Sequence, residues 1–168
     1  PASYLTTTTP TLTLMQTGTL KAKVVSKADY MAKVSNLRLI IDFPEGTHYQ
    51  EGSLITTKSD GSYQLSGRRL VVPCELDEQV KCCLVPDQSG KYNITAMAQY
   101  TMDGQQYTQP IGVTVIDVAY TSLNLPNPTN TPTLHPNGYT YPNSTVTIYD
   151  GDYVIGETTA NSNGFFET

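Results

Sequence analysis

The sequence predicts an all-β chain: an Ig-like β-sandwich followed by part of a second β-domain. Three observations carry this. Apolar and polar residues alternate at a spacing of two, as in Leu20, Ala22 and Val24 against Lys21 and Lys23. Turn signals recur between the apolar runs, among them Asp60-Gly61, Asp103-Gly104, Asp150-Gly151 and Asn163-Gly164. Threonine is the commonest residue, and the aromatic content is 12 Tyr and 3 Phe with no Trp, a composition that suits strands.

Residues 1–10 read as an extended lead-in. Leu12 and Leu14 alternate with Thr11 and Thr13 as a first strand, which Gly18 is expected to break. Leu20 to Val24 is a second, half-buried strand. Residues 27–35 connect, with one helical turn expected from the spacing of Tyr30, Met31 and Val34. Residues 37–41 (Leu-Arg-Leu-Ile-Ile) form the central strand, because the run is short and rich in branched apolar residues. Pro44 donates no N–H and ends that ladder. Gly46 is free to take a positive φ in the Pro44-Glu45-Gly46 turn. Asp60-Gly61 reads as a hairpin turn between residues 54–57 and Tyr63 with Leu65. Residues 68–72 form a strand that Pro73 stops, and residues 75–78 form a polar turn. Residues 80–85 form another strand, closed by Pro86. Tyr92, Ile94, Ala96 and Ala98 lead through Asp103-Gly104 to Tyr107 and the last strand, Ile111, Val113 and Val115. The expected core between two sheets is Leu39, Ile41, Leu70, Val80, Ile94, Ala96, Val113 and Val115.

Composition changes after that. Residues 118–136 are rich in Pro, Thr and Asn, and resist both helix and central strand. Pro126, Pro128, Pro132 and Pro136 should hold this segment extended. The predicted division is therefore a sandwich over 1–117, a linker over 118–136 and an incomplete β-repeat over 137–168. The chain ends just as a further strand begins, so the expected second domain is a first half. Two or three strands are marginal alone. The expectation is that Val146, Ile148 and Val154 find a partner by β-pairing or apolar contact, with pairing to a neighbouring chain preferred.

Charge and chemistry narrow the function. Ten Lys and Arg stand against eleven Asp and Glu in residues 1–117; thereafter come Asp150, Asp152, Glu157 and Glu167 and no Lys or Arg. No basic stripe points to nucleic acid, and no apolar run approaches the roughly 20 residues of a membrane span. The chain opens at Pro1 rather than Met, which points to a trimmed or processed chain, so missing targeting signals mean little. Cys74, Cys82 and Cys83 fit neither a disulfide framework nor a zinc pattern, and are expected as free thiols with one in the core. His48 and His135 lack a local nucleophile or a second His at metal-ligand spacing, so neither catalysis nor a metal or cofactor is expected.

The remaining candidates are weighed by residue type. Asp150-Gly151-Asp152 carries too few oxygens for calcium and reads as a hairpin turn. A Lys–Asn crosslink would need Lys21 or Lys23 with Asn93 and a nearby acid, yet alternation turns both lysines to solvent. Asn93-Ile94-Thr95 and Asn143-Ser144-Thr145 are sequons. Tyr63, Tyr92, Tyr100 and Tyr107 are candidates for a platform on which sugar rings stack, against the plainer reading of cross-strand aromatic packing.

Two stretches resemble known families. Phe43-Pro44-Glu45-Gly46, the aromatic Tyr49, Glu51-Gly52-Ser53 and Gly90-Lys91-Tyr92-Asn93-Ile94-Thr95-Ala96 resemble, over residues 11–117, the conserved repeat domain of unknown function found in tandem in bacterial and archaeal surface proteins. The usual Asn-Thr-Gly after the second strand is replaced by Lys27-Ala28-Asp29-Tyr30. Residues 142–151 (Pro-Asn-Ser-Thr-Val-Thr-Ile-Tyr-Asp-Gly), with 154–160 and Asn163-Gly164-Phe165-Phe166, resemble bacterial Ig-like and prealbumin-like repeats. The resemblance implies a non-enzymatic structural or adhesive module, a stalk or spacer of an extracellular surface protein attached through other parts of its parent. It implies as partners neighbouring repeats and host or cell-wall glycan or protein. The alternative is a carbohydrate-binding accessory module using the tyrosine face.

Overall fold

A strand with apolar residues at every second position has one face that water rejects, and two such sheets close on each other. The computed structural model describes residues 2–14, 16–26, 33–125 and 135–168, and places two facing sheets in the first 119 residues. One sheet runs β1 (Tyr4–Thr7), β3 (Gly18–Lys23), β9 (Gln79–Pro86), β5 (Thr47–Tyr49), with β6 (Ile55–Thr56) also on β9. The other runs β2 (Thr11–Thr13), β11 (Gln105–Ala119), β10 (Gly90–Met102), β4 (Val34–Asp42), β8 (Arg69–Pro73), β7 (Gln64–Ser66). Pairing is antiparallel except where β2 joins β11 in parallel. The chain is all-β, an Ig-like sandwich followed by further strands.

The core lies between these sheets. Leu20, Val80 and Leu84 from the first meet Leu39, Ile41, Leu70, Ile94 and Ile116 from the second, all buried. β4 is central, as expected: Ile41 pairs with Leu70 on one side and Ala96 on the other. At its end Gly46 takes φ +93°, and a Cβ there would lie 2.7 Å from the Tyr92 hydroxyl.

Two expected core residues are corrected. Val113 is 60% exposed and Val115 38%, while Ile116 and Val118 are buried. The cause is the register with β10: Ile116, Thr114 and Gly112 stand opposite the buried Tyr92, Ile94 and Ala96, so the inward row of β11 is Gly112, Thr114, Ile116 and Val118, and a Cβ on Gly112 would lie 2.8 Å from the Leu5 backbone nitrogen. Val113 and Val115 fall on the outer face. The lead-in is likewise corrected, since residues 4–7 form β1 and pair along β3. Gly18 opens β3 rather than merely breaking a strand.

Asp60-Gly61 does not close a hairpin. It lies between β6 and β7, which belong to opposite sheets, so this segment crosses the sandwich. The polar turn at 75–78 crosses back from β8 to β9. Glu78 holds the two crossings together. Its carboxylate, buried at 1% exposure, accepts from the Lys58 and Ser59 backbone N–H (2.6 Å each), the Ser59 hydroxyl (2.5 Å) and the Glu75 N–H (2.9 Å). Burial pushes the Glu78 carboxyl up, but these hydrogen bonds outweigh it and hold the group below the usual glutamate range. The expected helical turn near Tyr30 and Met31 lies outside the described residues; Val34 opens β4.

After β11 come two smaller sheets: β12 (Ser122–Asn124), β13 (Asn137–Tyr139) and β16 (Phe165–Glu167), and the pair β14 (Thr145–Asp150) and β15 (Tyr153–Thr159). Ile148, Ala160 and Phe166 form a small cluster of their own. Gly138 is obligatory, because a Cβ would collide with the Ser122 carbonyl and the Phe166 ring. Pro126, Pro128 and Pro132 lie outside the described residues, while the Pro136 carbonyl accepts from the Thr168 N–H at 3.1 Å.

Candidate contact surfaces

The predicted tyrosines do not share one face. Tyr92 points inward from β10, is buried, and donates its hydroxyl to the Gln88 carbonyl at 2.6 Å. Burial, with the Asp87 charge, pushes its phenol up. Tyr63 stands edge-on to Tyr49 with ring centroids 5.3 Å apart. Only Tyr100 and Tyr107 come together, stacked across the β10–β11 hairpin at 5.7 Å. Tyr100 also lines a largely apolar cleft of about 510 Å³ at one end of the sandwich, shared with Val24, Leu37, Leu76, Met102 and Ile111.

The titratable candidates are dispersed. His48, exposed at the middle of β5, has its Nδ1 2.9 Å from the Asp87 carboxylate. His135 Nδ1 lies 3.1 Å from the Thr168 carbonyl. Among the described residues no group of three His, Cys, Asp or Glu is arranged to hold a metal ion. All three cysteines are free thiols; burial pushes Cys82 up to about 12, and burial with the Glu78 charge pushes Cys74 up to about 12. Both are therefore protonated and unreactive near neutral pH. Lys21 and Lys23 project from the β3 sheet, whereas Asn93 is exposed on the outer face of the other. The sandwich separates the members of that hypothetical crosslink.

An exposed apolar surface lies on the β14–β15 hairpin, which sequence reasoning identified only as an open edge. Among the described residues it is a two-stranded sheet. Tyr149, Tyr153, Val154 and Ile155 are exposed by 61, 79, 57 and 54%. Asp150-Gly151-Asp152 forms its tip, with Gly151 at φ +62°. No helix among the described residues is long and apolar enough to cross a membrane.

No family model matches the sequence, and a search of curated proteins returns no match. Among solved structures the chain is similar to a 35 kDa C-terminal fragment of the major pilin GBS80 of Streptococcus agalactiae, at 8% identity and a TM-score of 0.56, covering 99% of this chain and 77% of that one. It is also similar to domains D2 and D3 of the major pilin SpaD from Corynebacterium diphtheriae, at 9% identity and a TM-score of 0.51, covering 98% of this chain and 72% of that one. At such identity the likeness speaks for the fold alone, an all-β chain with a β-sandwich.

Proposed function

We propose that the chain is a non-enzymatic structural and adhesive module of an extracellular cell-surface protein, working as a stalk or spacer. One observation carries the reading: a sandwich is followed, beyond β12 and β13, by an open hairpin whose large side chains face solvent. A closed unit transmits geometry, and an unpartnered apolar edge seeks a neighbour. The similarity in fold to serial pilin domains, and the resemblance of both stretches to surface repeats, support it. We place the joint between the units at Tyr120, because β11 runs to Ala119 and β12 pairs into the second set of strands. The partners in this reading are neighbouring repeats and neighbouring chains, with β-pairing along the hairpin as one mode. Antibodies raised against residues 2–119 should label intact source cells, and protease shaving should remove the label. Label that appears only after lysis would contradict the proposal.

A second reading has its own observation. The stacked Tyr100–Tyr107 pair beside the apolar cleft offers ring faces to a sugar. Saturable binding on a glycan array, lost in both Tyr100→Ala and Tyr107→Ala, would favour a carbohydrate-binding module.

A further inference from the structure

The outer face of the first sheet carries an unusual charge pattern. The strand registers line up Thr6, Lys21, Lys81 and Ile55 in one row, and Tyr4, Lys23 and Gln79 in the next. Lys21 and Lys81 are directly opposite each other. Like charges in that position weaken a sheet, and neither row contains a carboxylate. The charges of Lys58 and Lys23 act on Asp77, but its carboxylate is already engaged by the Ser26 hydroxyl at 2.7 Å and the Ser26 N–H at 3.1 Å. Ile55, 58% exposed beside Lys81, adds an apolar patch to the cationic rows.

The chain also contains the complement to this face. Every Lys and Arg lies before residue 92, while residues from 120 onward carry four carboxylates and no cation. Two of these, Asp150 and Asp152, form the tip of the β14–β15 hairpin, flanked by the exposed rings of Tyr149 and Tyr153. Carboxylates meet ammonium groups there, and phenol rings suit both the lysine heads and Ile55. The ion pairs among the described residues are His48–Asp87 and Arg69–Asp42, so neither the lysine rows nor the hairpin tip is neutralised within one chain.

We propose that the acidic Tyr149–Tyr153 tip of one chain docks on the Lys21/Lys23/Lys81 face of a second copy. The sequence alone pointed this fragment to β-pairing or apolar contact; the lysine rows, assembled only by the fold, supply a charged counterpart. The contact is heterologous, because tip and face are different surfaces, so it leaves a free tip and a free face at the ends and adds further copies. The inference does not depend on cell-surface localisation, and the two are measured separately.

The test is sedimentation of the intact chain at graded concentrations in low salt. The wild type should show a sedimentation coefficient that rises with concentration without a plateau, and about 0.5 M NaCl should suppress the rise by screening. Lys21→Glu with Lys81→Glu should abolish association, as should Asp150→Lys with Asp152→Lys, because each variant sets like charges against each other. Asp150 and Asp152 are exposed and Lys21 and Lys81 half-buried on the outer face, and an unchanged melting temperature confirms each fold. Mixing the two variants should restore association. A wild type that stays monomeric throughout overturns the proposal, as does association retained by either variant alone or a mixture that stays monomeric. Salt-insensitive association in all forms would instead indicate apolar or β-edge pairing and would equally overturn it.

Discussion

Glu78 ties together the two segments that carry the chain from one sheet to the other. Its four hydrogen bonds come from groups on both crossings, three of them backbone N–H donors. Glu78→Gln keeps the shape but loses the charge, and hydrogen bonds to an ionised acceptor are the stronger kind. The substitution should cost about 1–3 kcal/mol near neutral pH, read from urea midpoints. The pH dependence follows from the depressed carboxyl. A folded-state value below the unfolded one means the stabilisation is complete above the ordinary glutamate range and is lost as pH falls through the folded value. The gap between wild type and Glu78→Gln should therefore narrow in acid; an equal gap at about pH 7 and about pH 3 would remove the charge from the explanation. Glu78 was not legible in the sequence. In a run of Glu75, Leu76, Asp77 and Glu78 nothing marks which acid turns inward, since that depends on a loop some twenty residues earlier.

At the scale of elements, β4 was legible as a short run of branched apolar residues and β10 as a long apolar alternation. The Pro44-Glu45-Gly46 turn and the β10–β11 and β14–β15 hairpins were legible because their residues dictate backbone shape. β11 was not. It carries apolar residues on both faces, Val113 and Val115 outward against Ile116 and Val118 inward, and its register against β10, with a shift at Ala96/Met97, decides which row is buried. Register is a property of the paired strands, beyond the reach of a local pattern. Asp60-Gly61 was misread for a similar reason: the local turn chemistry is real, but the destination of the next strand is a tertiary property. The assignment is checked by a pair of substitutions. Ile116→Asp should destabilise the sandwich by several kcal/mol, an order-of-magnitude figure for an unpaired buried charge, whereas Val113→Asp should shift stability by no more than about 0.5 kcal/mol. Thermal melts in the reverse order would place the wrong face inward. Of the four candidate tyrosines, only the Tyr100–Tyr107 pair was brought together, because those two residues sit directly opposite each other across a hairpin.

For the whole molecule, the sandwich closes around a large core, whereas the described strands after it gather one small apolar cluster, Ile148, Ala160 and Phe166 with Val146 packed against them. Burial scales the free energy of each part, so local opening should be far easier in the second. This asymmetry underlies both the proposed surface role and the proposed contact between copies: one part supplies a rigid body, the other an unsatisfied edge. Amide hydrogen exchange on the intact chain in dilute solution tests it most directly. The amides of β4 and β10 should exchange near the rate set by global unfolding, and those of β15 (Tyr153–Thr159) orders of magnitude faster, because a two-stranded sheet is marginal alone. Protection of β15 equal to that of β10 in the dilute monomer would contradict the account.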